Sequence, residues 1–228
     1  MQNVVRVLST LALMGAVRSL AGRYEAAGGA RIDADFAPTL ALLDRLRLGE
    51  GADVVILTKQ ALDDLAAQEA VAAGSCVDLA RSYVGIAVRA GAAHPDIATE
   101  SALRATLLGA RAVAYSRLGA SGIFFAQLIE RIGIAHLINA RAKIVPSGLT
   151  AALLVAGEAE LAVQQLSELM QVDGVELVGP IPRELQTAAV FSAGRLAASV
   201  KAVQSDALLK YLASAEVAPV LRAAGLEP

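Results

Sequence analysis

The stretch Ala112-Val-Ala-Tyr-Ser-Arg-Leu-Gly-Ala-Ser-Gly122 contains the pattern that decides the fold of this chain. Its apolar half, Ala112–Tyr115, is typical of a short buried strand, and Ser116–Gly122 predicts a turn that opens a helix over Ile123–Ile132. The first turn of that helix holds no Asp or Glu that could satisfy its free N–H groups and positive dipole end. A helix start of this kind is a candidate anion site.

The same pattern occurs twice more, where Val4–Leu8 runs into Ser9-Thr10 and Ile32–Phe36 runs into Ala37-Pro38-Thr39. Hydroxyl side chains in such turns can donate hydrogen bonds, and glycines let the backbone approach a ligand closely. The alternative is that the Ser and Thr residues are ordinary helix caps. The ligand-binding candidates in the three turns are Ser9, Thr10, Pro38, Thr39, Ser116, Gly119, Ala120, Ser121 and Gly122.

Two further stretches could contribute to the same site. The strand predicted at Leu161–Gln164 ends in the amides Gln164 and Gln165, which are either ligand-binding groups or partly exposed strand-end residues. Glu168 follows them and is either a general base or a solvated acid at a helix start. The stretch Asp78-Leu-Ala-Arg-Ser-Tyr83 is read as a turn. Arg81 within it, like Arg117, could hold a carboxylate or oxyanion, or lie on the surface.

Strand-like and helix-like runs alternate along the chain, which predicts an α/β fold with mostly parallel sheets. The first helix shows the expected period, because Leu13, Val17 and Leu20 fall on one side. The predicted strands are Val4–Leu8, Arg31–Phe36, Asp53–Leu57, Tyr83–Val88, Arg111–Tyr115, Lys143–Val145, Leu161–Gln164, Val175–Val178 and Ala188–Ser192. The predicted helices are Leu11–Ala27, Thr39–Leu48, Gln60–Ala73, Ser101–Leu108, Ile123–Ile132, Leu149–Ala156, Ser205–Leu212 and Val217–Ala223.

Nine strands are many for one sheet in a chain of 228 residues, so two smaller sheets in two lobes are predicted. Residues 1–82 with 190–228 are assigned to lobe 1, and residues 83–189 to lobe 2. The chain then crosses near 80–84 and again near 187–191. Two crossings indicate a hinge and a cleft.

Composition excludes several classes of function. A net charge of −2 with no Trp argues against a nucleic-acid partner. His94 and His136 are isolated, and no phosphate-loop motif is present, so neither a metal nor another cofactor is predicted. The sequence Gly119-Ala-Ser-Gly-Ile123 does not complete the nucleophile elbow of a serine hydrolase. The single cysteine, Cys76, is interpreted as a small apolar filler at the start of a strand or loop.

The absence of a long apolar run predicts no membrane insertion. Because a strand begins within a few residues of Met1, no removable leader is expected, and the chain as written is predicted to be cytoplasmic. A periplasmic location is expected if a leader has been removed.

The runs Ala52-Asp-Val-Val-Ile56 and Ser121-Gly-Ile-Phe-Phe-Ala-Gln-Leu-Ile-Glu-Arg-Ile-Gly-Ile134 together resemble the molybdate-binding branch of the type 2 periplasmic binding proteins. The resemblance covers essentially the whole chain. It implies a two-lobed, Venus-flytrap α/β fold that holds an anion in an interlobe cleft. By position, the family's binding elements fall on Ser9 and Thr10, on Ala37–Thr39, on Gly119–Gly122, and on Gln164 and Gln165.

This sequence has Ala37-Pro-Thr39 where molybdate binders carry a Ser-rich loop, and Gln165 where they usually place a Tyr, which argues against molybdate itself. The stretch from Gln164 to Gln186 looks closer to a divergent subgroup similar to aconitate isomerase. The resemblance therefore implies a solute-binding protein for an organic carboxylate or oxyanion, with an ABC transporter as partner if the protein is exported. The alternatives are a cofactor-free isomerase or tautomerase of a di- or tricarboxylate with Glu168 as base, and a cytoplasmic regulatory module with a vestigial site.

Overall fold

A computed structural model describes residues 4–228, and the chain divides into two units. Unit 1 comprises the described residues up to Ser82 together with Ala189–Pro228, and unit 2 comprises Tyr83–Ala188. The chain thus enters unit 2 once and returns to unit 1 once.

Unit 1 is built on one five-stranded sheet with the strand order β2-β1-β3-β10-β4. Strands β1, β2 and β3 are parallel, while β10 runs antiparallel to both β3 and β4. Four of the five strands therefore share one direction, and their carboxyl ends meet at one edge of the sheet. The strands are β1 (Val4–Thr10), β2 (Arg31–Ala37), β3 (Val54–Thr58), β4 (Val77–Ser82) and β10 (Ala189–Arg195).

Helices cover both faces of this sheet. Alternate residues of β1 explain the arrangement, because Val5 and Val7 join one buried cluster with α1 and α9, while Leu8 joins another with α2 and α3. A parallel sheet buried on both faces needs apolar residues at nearly every position. The helices are α1 (Met14–Ala26, preceded by a 3-10 turn at Leu11–Leu13), α2 (Thr39–Arg47), α3 (Lys59–Ala67), α9 (Ala202–Leu212) and α10 (Ala218–Ala223).

Unit 2 is also built on one five-stranded sheet, with the strand order β7-β6-β8-β5-β9. Strands β6, β7 and β8 are parallel, and β5 runs antiparallel to β8 and β9. The amino end of β5 therefore lies at the same edge as the carboxyl ends of the other strands. The strands are β5 (Val84–Arg89), β6 (Val113–Ser116), β7 (Lys143–Val145), β8 (Leu161–Gln165) and β9 (Val175–Pro180).

The unit 2 helices also pack on both faces. Tyr115 and Phe125 meet edge to face, with ring centroids 5.0 Å apart, inside the larger apolar cluster. Leu154 and Leu169 belong to the smaller cluster on the other face. The helices are α4 (Glu100–Gly109), α5 (Ala120–Arg131), α6 (Ala135–Asn139), α7 (Ala152–Val155) and α8 (Leu166–Leu169).

The predicted α/β class with mostly parallel sheets is confirmed, since four of five strands in each sheet point the same way. The turn predicted around Arg81 is wrong, because Val77–Ser82 is the edge strand β4. Its two charged residues, Asp78 and Arg81, are compatible with the edge of a sheet. The helix predicted over Gln60–Ala73 ends at Ala67. Glu69 there adopts a φ of 57°, a left-handed conformation that the sequence pattern does not signal.

Other predictions also differ from the structure, among them the helix predicted over Leu149–Ala156, which spans only Ala152–Val155. The helix predicted from Ile123 begins at Ala120, so Ser121 and Gly122 lie in its first turn rather than in a preceding loop. Cys76 precedes β4 as expected, but it is exposed and does not fill the core. Among residues 4–228, no helix combines the length and apolarity needed to cross a bilayer.

Candidate functional site

In unit 1, β1 and β2 end side by side, with Thr10 opposite Ala37 in the parallel register. Thr10 is 3% exposed, makes no cap hydrogen bond, and its Oγ1 has no partner among the described residues. Ser9 is fully buried, and its hydroxyl donates to the Thr10 carbonyl at 3.1 Å. A buried hydroxyl without a partner is costly in a folded protein. Thr10 is therefore the ligand-binding candidate with unused hydrogen-bonding capacity at this edge.

The second predicted turn lies next to it. Pro38 occupies the cap position of α2, and Thr39 is the buried first residue of the helix. Neither a capping side chain nor an acidic residue serves the first turn of α2. The 3-10 turn that leads into α1 and the start of α2 thus follow neighbouring strand ends, and no acidic side chain compensates the positive dipole end of either helix.

The structure does not bring Arg81 to these residues. Arg81 is an exposed residue of β4, and its backbone exchanges two hydrogen bonds with Glu227, with N···O distances of 2.6 and 2.8 Å. Three strand spacings, about 14 Å, separate β4 from β1 in the sheet. Ser82, which the sequence analysis did not single out, ends β4 with a buried hydroxyl that has no partner among residues 4–228.

In unit 2, the third predicted turn links β6 to α5. Ser116 is buried, and its Oγ accepts a hydrogen bond from the Leu118 N–H at 3.2 Å. Gly119 is the cap residue of α5, and the first turn of that helix, beginning with Ala120, has neither a capping side chain nor an acid. A Cβ at Gly122 would lie 1.6 Å from the Ser116 carbonyl oxygen. Glycine is thus required for the start of α5 to lie against the end of β6.

Ser121 and Glu168 meet beside this helix start. The Ser121 Oγ lies 3.5 Å from Oε2 of Glu168, and the backbone N–H of Gln165 donates to the same oxygen at 3.0 Å. Ser121 and Glu168 are 3% and 7% exposed. The interpretation of Glu168 as a solvated acid is wrong, because the four-residue helix α8 turns its side chain inward.

Burial raises the pKa of Glu168 from 4.5 to about 7. The Gln165 N–H and the Ser121 and Gln164 side chains lower the pKa, but they do not offset the loss of hydration. A carboxyl group with a pKa near neutrality can both take up and release a proton under physiological conditions.

Gln164 and Gln165 are both buried, so the interpretation of partly exposed strand-end residues is wrong. The Gln164 Oε1 accepts from the Thr150 N–H at 2.8 Å and from the Thr150 hydroxyl at 3.0 Å, and its Nε2 donates to the Gly148 carbonyl at 3.2 Å. Gln164 therefore shapes the turn after β7.

That turn was missed as a site element, although its signal was present in the sequence. Lys143–Val145 is followed by Pro146-Ser-Gly148, which repeats the apolar strand and small-residue turn of the other candidates. The carboxyl edge of the unit 2 sheet accordingly carries three strand-end turns, after β6, β7 and β8.

Arg117 is exposed but held in place by its neighbours. Its Nη2 lies 3.4 Å from the Tyr115 hydroxyl and 3.3 Å from the Asn139 Oδ1, and the Tyr115 hydroxyl donates to the same Asn139 oxygen at 2.5 Å. The guanidinium thus lies over the Tyr115 ring, 6.0 Å from its centroid. Arg117 follows the end of β6, and its contacts lie toward α6.

Unit 2 also has a cavity of about 570 Å³ at the opposite edge of its sheet, lined by residues at the amino ends of β6 and β8 such as Arg111 and Leu161. This cavity does not include Ser121 or Glu168, and its lining is mostly apolar. Within the described part of the chain, no group of three His, Cys, Asp or Glu side chains could hold a metal ion.

Known proteins resemble this chain over nearly its whole length. A family model described as bacterial extracellular solute-binding protein matches residues 5–227. An aconitate isomerase from a Pseudomonas species is 39% identical over 232 residues, which cover 99% of this chain and 88% of that protein. The periplasmic molybdate-binding protein of Azotobacter vinelandii is 16% identical with a TM-score of 0.84, covering 98% of this chain and 99% of that one.

A sulfate-binding protein of Mycobacterium tuberculosis is 14% identical with a TM-score of 0.74, covering 99% of this chain and 87% of that one. At these identities the solved structures show a shared fold, which confirms the predicted periplasmic-binding-protein fold. The family match spans both sheets and every strand-end turn described above. The chain belongs to the bacterial extracellular solute-binding protein family.

Proposed function

We propose that this protein binds a small anion, an organic carboxylate or an oxyanion, and that acid-free helix starts with buried hydroxyl groups provide the hydrogen-bond donors. The observation that carries the proposal is found in each unit separately: the 3-10 turn that leads into α1 and the first turn of α5 hold no acid, and Thr10 and Ser121 there have buried hydroxyls. Free N–H groups and a positive helix dipole end favour negative charge. The Thr10 hydroxyl lacks a partner among residues 4–228, so an incoming acceptor would satisfy it.

The chemistry of these groups supports an anion held by neutral donors. Hydroxyl and backbone N–H groups bind an oxyanion without a cation being buried, which avoids a large desolvation cost. The names of the similar proteins point to the same class, since two structural relatives bind molybdate and sulfate and the sequence relative acts on aconitate. Aconitate is a tricarboxylate, and the higher sequence identity to that relative favours an organic carboxylate.

A thermal-shift and calorimetric screen tests the proposal. The panel contains molybdate, sulfate, phosphate and mono-, di- and tricarboxylates, with chloride at equal ionic strength as the control. We expect at least one divalent or trivalent anion to raise the melting temperature, and Thr10→Val and Ser121→Ala to weaken its binding.

Ser101→Ala provides a matched control variant. Ser101 is the second residue of α4, as Ser121 is of α5, but α4 begins with its own Thr99 cap and an acidic Glu100. Anion binding that is equally strong in Ser121→Ala and in Ser101→Ala would contradict the proposed site. A panel in which no anion gives a shift beyond the chloride control would contradict the function.

The buried Glu168 favours a second function, the isomerisation of an unsaturated tricarboxylate such as aconitate. An ionised Glu168 would take a proton from the carbon next to a carboxylate, leaving a carbanion delocalised over that carboxylate and the double bond. Return of the proton to the far carbon of the allylic system would shift the double bond and regenerate the ionised carboxylate. No oxidant, metal or cofactor is needed for this balance.

Proton NMR in D₂O separates the two functions. Incubation with cis- or trans-aconitate would give both isomers with deuterium at the exchanged carbon, and Glu168→Gln would abolish the exchange. Tight binding of aconitate without deuterium exchange would contradict the isomerase function and support binding without catalysis. Exchange that persists in Glu168→Gln would exclude Glu168 as the base.

The proposed binding function raises the questions of a transporter partner and of the cellular location. We propose an ABC transporter as the partner if the protein is exported, because a structural relative is the substrate-binding domain of a putative molybdenum ABC transporter in Clostridium difficile. Fractionation of cells that express the native gene, with immunodetection of the chain, distinguishes the periplasm from the cytoplasm. Recovery only with cytoplasmic markers would contradict the transporter.

A further inference from the structure

We propose that protonation of Glu168 sets the direction of the Ser121 hydroxyl and thereby decides whether the start of α5 accepts an anion. The inference rests on the proposed binding of an anion at this helix start. It assigns Glu168 the role of a positioning residue that acts through Ser121, and it predicts that the ligand is bound together with a proton.

The contact between Ser121 and Glu168 has two possible polarities. An ionised carboxylate can only accept, so the Ser121 O–H must then point at Glu168 and turn its lone pairs toward an approaching ligand. A protonated Oε2 can still accept from the Gln165 N–H and can donate its proton to the Ser121 Oγ. The Ser121 hydroxyl is then free to donate to an anion.

The immediate neighbours of Glu168 among residues 4–228 include no positively charged side chain. Its immediate neighbours, the Gln165 N–H, Ser121 and Gln164, are all uncharged. Helix α8 packs on β5, β8 and β9, and Ser121 comes from α5. The titratable side chains on these elements, or directly next to them in the chain, are Tyr83, Arg89, Glu176, Glu130, Arg131 and Glu160.

None of these six side chains acts on the pKa of Glu168. Glu160 precedes the amino end of β8, where it contacts Arg111, and Gln165 is at the opposite end of the strand. Arg89 is paired with Val175 at the end of β5 away from Gln165, and Glu176 lies at the same far end and contacts His94. Glu130 and Arg131 close the other end of α5, about 14 Å along the helix from Ser121. Tyr83 is engaged with Arg183.

The proton balance follows from linkage. An anion that binds only the protonated form raises the Glu168 pKa further and takes up a proton on binding. With the pKa near 7 in the free protein, the affinity is constant below about pH 6 and weakens about tenfold for each pH unit above 7.

Isothermal titration calorimetry of the full chain between pH 6 and pH 9 tests the inference. The probes are sulfate and fumarate, which keep a constant charge over this range. We expect the wild-type protein to bind more weakly by about tenfold per pH unit above 7. In Glu168→Gln the side chain is uncharged at every pH, so we expect its affinity to stay constant from pH 6 to pH 9.

The Ser121→Ala variant distinguishes the effect of the hydroxyl direction from simple repulsion between the ionised Glu168 and the anion. Without the hydroxyl, we expect weak binding with no pH dependence, and Ser101→Ala should keep the wild-type profile. A pH dependence that persists in Ser121→Ala, or a wild-type profile in Glu168→Gln, would overturn the inference. Anion binding with a constant affinity from pH 6 to 9 would overturn it while leaving the proposed function intact. No binding of any anion at any pH would reject both.

A measurement without variants covers the case in which Glu168→Gln does not fold. Carbon-13 NMR of the wild-type glutamate carboxyl groups identifies the one that titrates near pH 7, with and without sulfate. An upward shift of its pKa when sulfate binds supports proton uptake, and an unchanged pKa overturns the inference.

Discussion

The starts of α1 in unit 1 and of α5 in unit 2 have the same local features, but only the start of α5 contacts a titratable side chain. Each follows a buried parallel strand and lacks acids in its first turn. A buried hydroxyl belongs to each, from Thr10, which caps the 3-10 turn before α1, and from Ser121 within α5. The Thr10 hydroxyl has no partner among residues 4–228, whereas the Ser121 hydroxyl faces the carboxyl group of Glu168.

This difference indicates that one helix start can combine groups suited to bind an anion with a group that binds a proton. A helix start provides fixed dipoles that do not change with pH. A buried carboxyl group next to such a start makes the local charge depend on pH, because its loss of hydration moves its pKa toward neutrality. The charge around the start of α1 in unit 1 is therefore expected to be independent of pH near neutrality, and the charge around the start of α5 in unit 2 is expected to change with pH.

The largest effect is expected from Gly122→Ala, which breaks the geometry of the unit 2 site. The added Cβ would overlap the Ser116 carbonyl oxygen, so the start of α5 must move, at a cost of about 3 kcal/mol or more. Gly22→Ala in α1 is the matched control, because its Cβ would meet nothing within 4 Å, and we expect it to stabilise unit 1 by roughly 0.5–1 kcal/mol. Differential hydrogen exchange of the two units measures both, and an unchanged α5 in Gly122→Ala would contradict the assigned packing.

The second effect concerns stability against pH in unit 2. The folded-state pKa of Glu168, about 7, lies above its ordinary value of 4.5, so the folded state binds a proton that the unfolded state has lost. Stability is therefore higher below pH 4.5 and falls as pH rises from 4.5 through 7, by roughly 3 kcal/mol. Urea unfolding of wild type and Glu168→Gln at pH 5 and pH 8 measures the difference. A constant difference between the two proteins would contradict the burial of an ionisable Glu168.

The third effect compares the two hydroxyls as ligand donors. At pH 6 we expect Thr10→Val and Ser121→Ala each to weaken anion binding by about tenfold or more, the worth of one hydrogen bond to a charged acceptor. At pH 9 only Thr10→Val should still weaken binding, because the Ser121 hydroxyl is then turned toward Glu168. Calorimetric titration with sulfate or fumarate measures this, and equal losses in Ser121→Ala at both pH values would contradict the distinction.

The smallest effect is expected for a carboxyl group in unit 1 whose pKa is lowered, whereas that of Glu168 is raised. Glu50 in unit 1 contacts Arg45 at 2.6 Å and Arg6 at 2.9 Å, and these guanidinium groups lower its pKa from 4.5 to about 2. Its contribution to stability is present above pH 4.5 and is lost as pH falls through 2. Glu50→Gln should therefore reduce the melting temperature slightly at pH 7 and not at pH 2. A larger loss at low pH would contradict the ion pairs.

The fold could be predicted in some detail because local patterns and packing agree. The apolar residues Val5, Val7 and Leu8 in β1 predict a strand that is buried on both faces. Each strand-end turn of small or hydroxyl residues predicts the helix that follows it. The errors lie where no local signal exists. Edge strand β4 mixes charged and apolar residues, and α3 stops at a non-glycine residue with positive φ.

The strand-turn-helix order and the positions of the acid-free helix starts can be predicted from the sequence, since both depend on residues adjacent in the chain. Only the tertiary structure decided that Ser121 and Glu168, separated by 47 positions, share a contact, and that Gln164 is committed to Thr150. It also decided that Glu168 is buried and titrates near neutrality. The physical reason is that a pKa depends on the hydration and the partners of the folded side chain, which long-range packing creates.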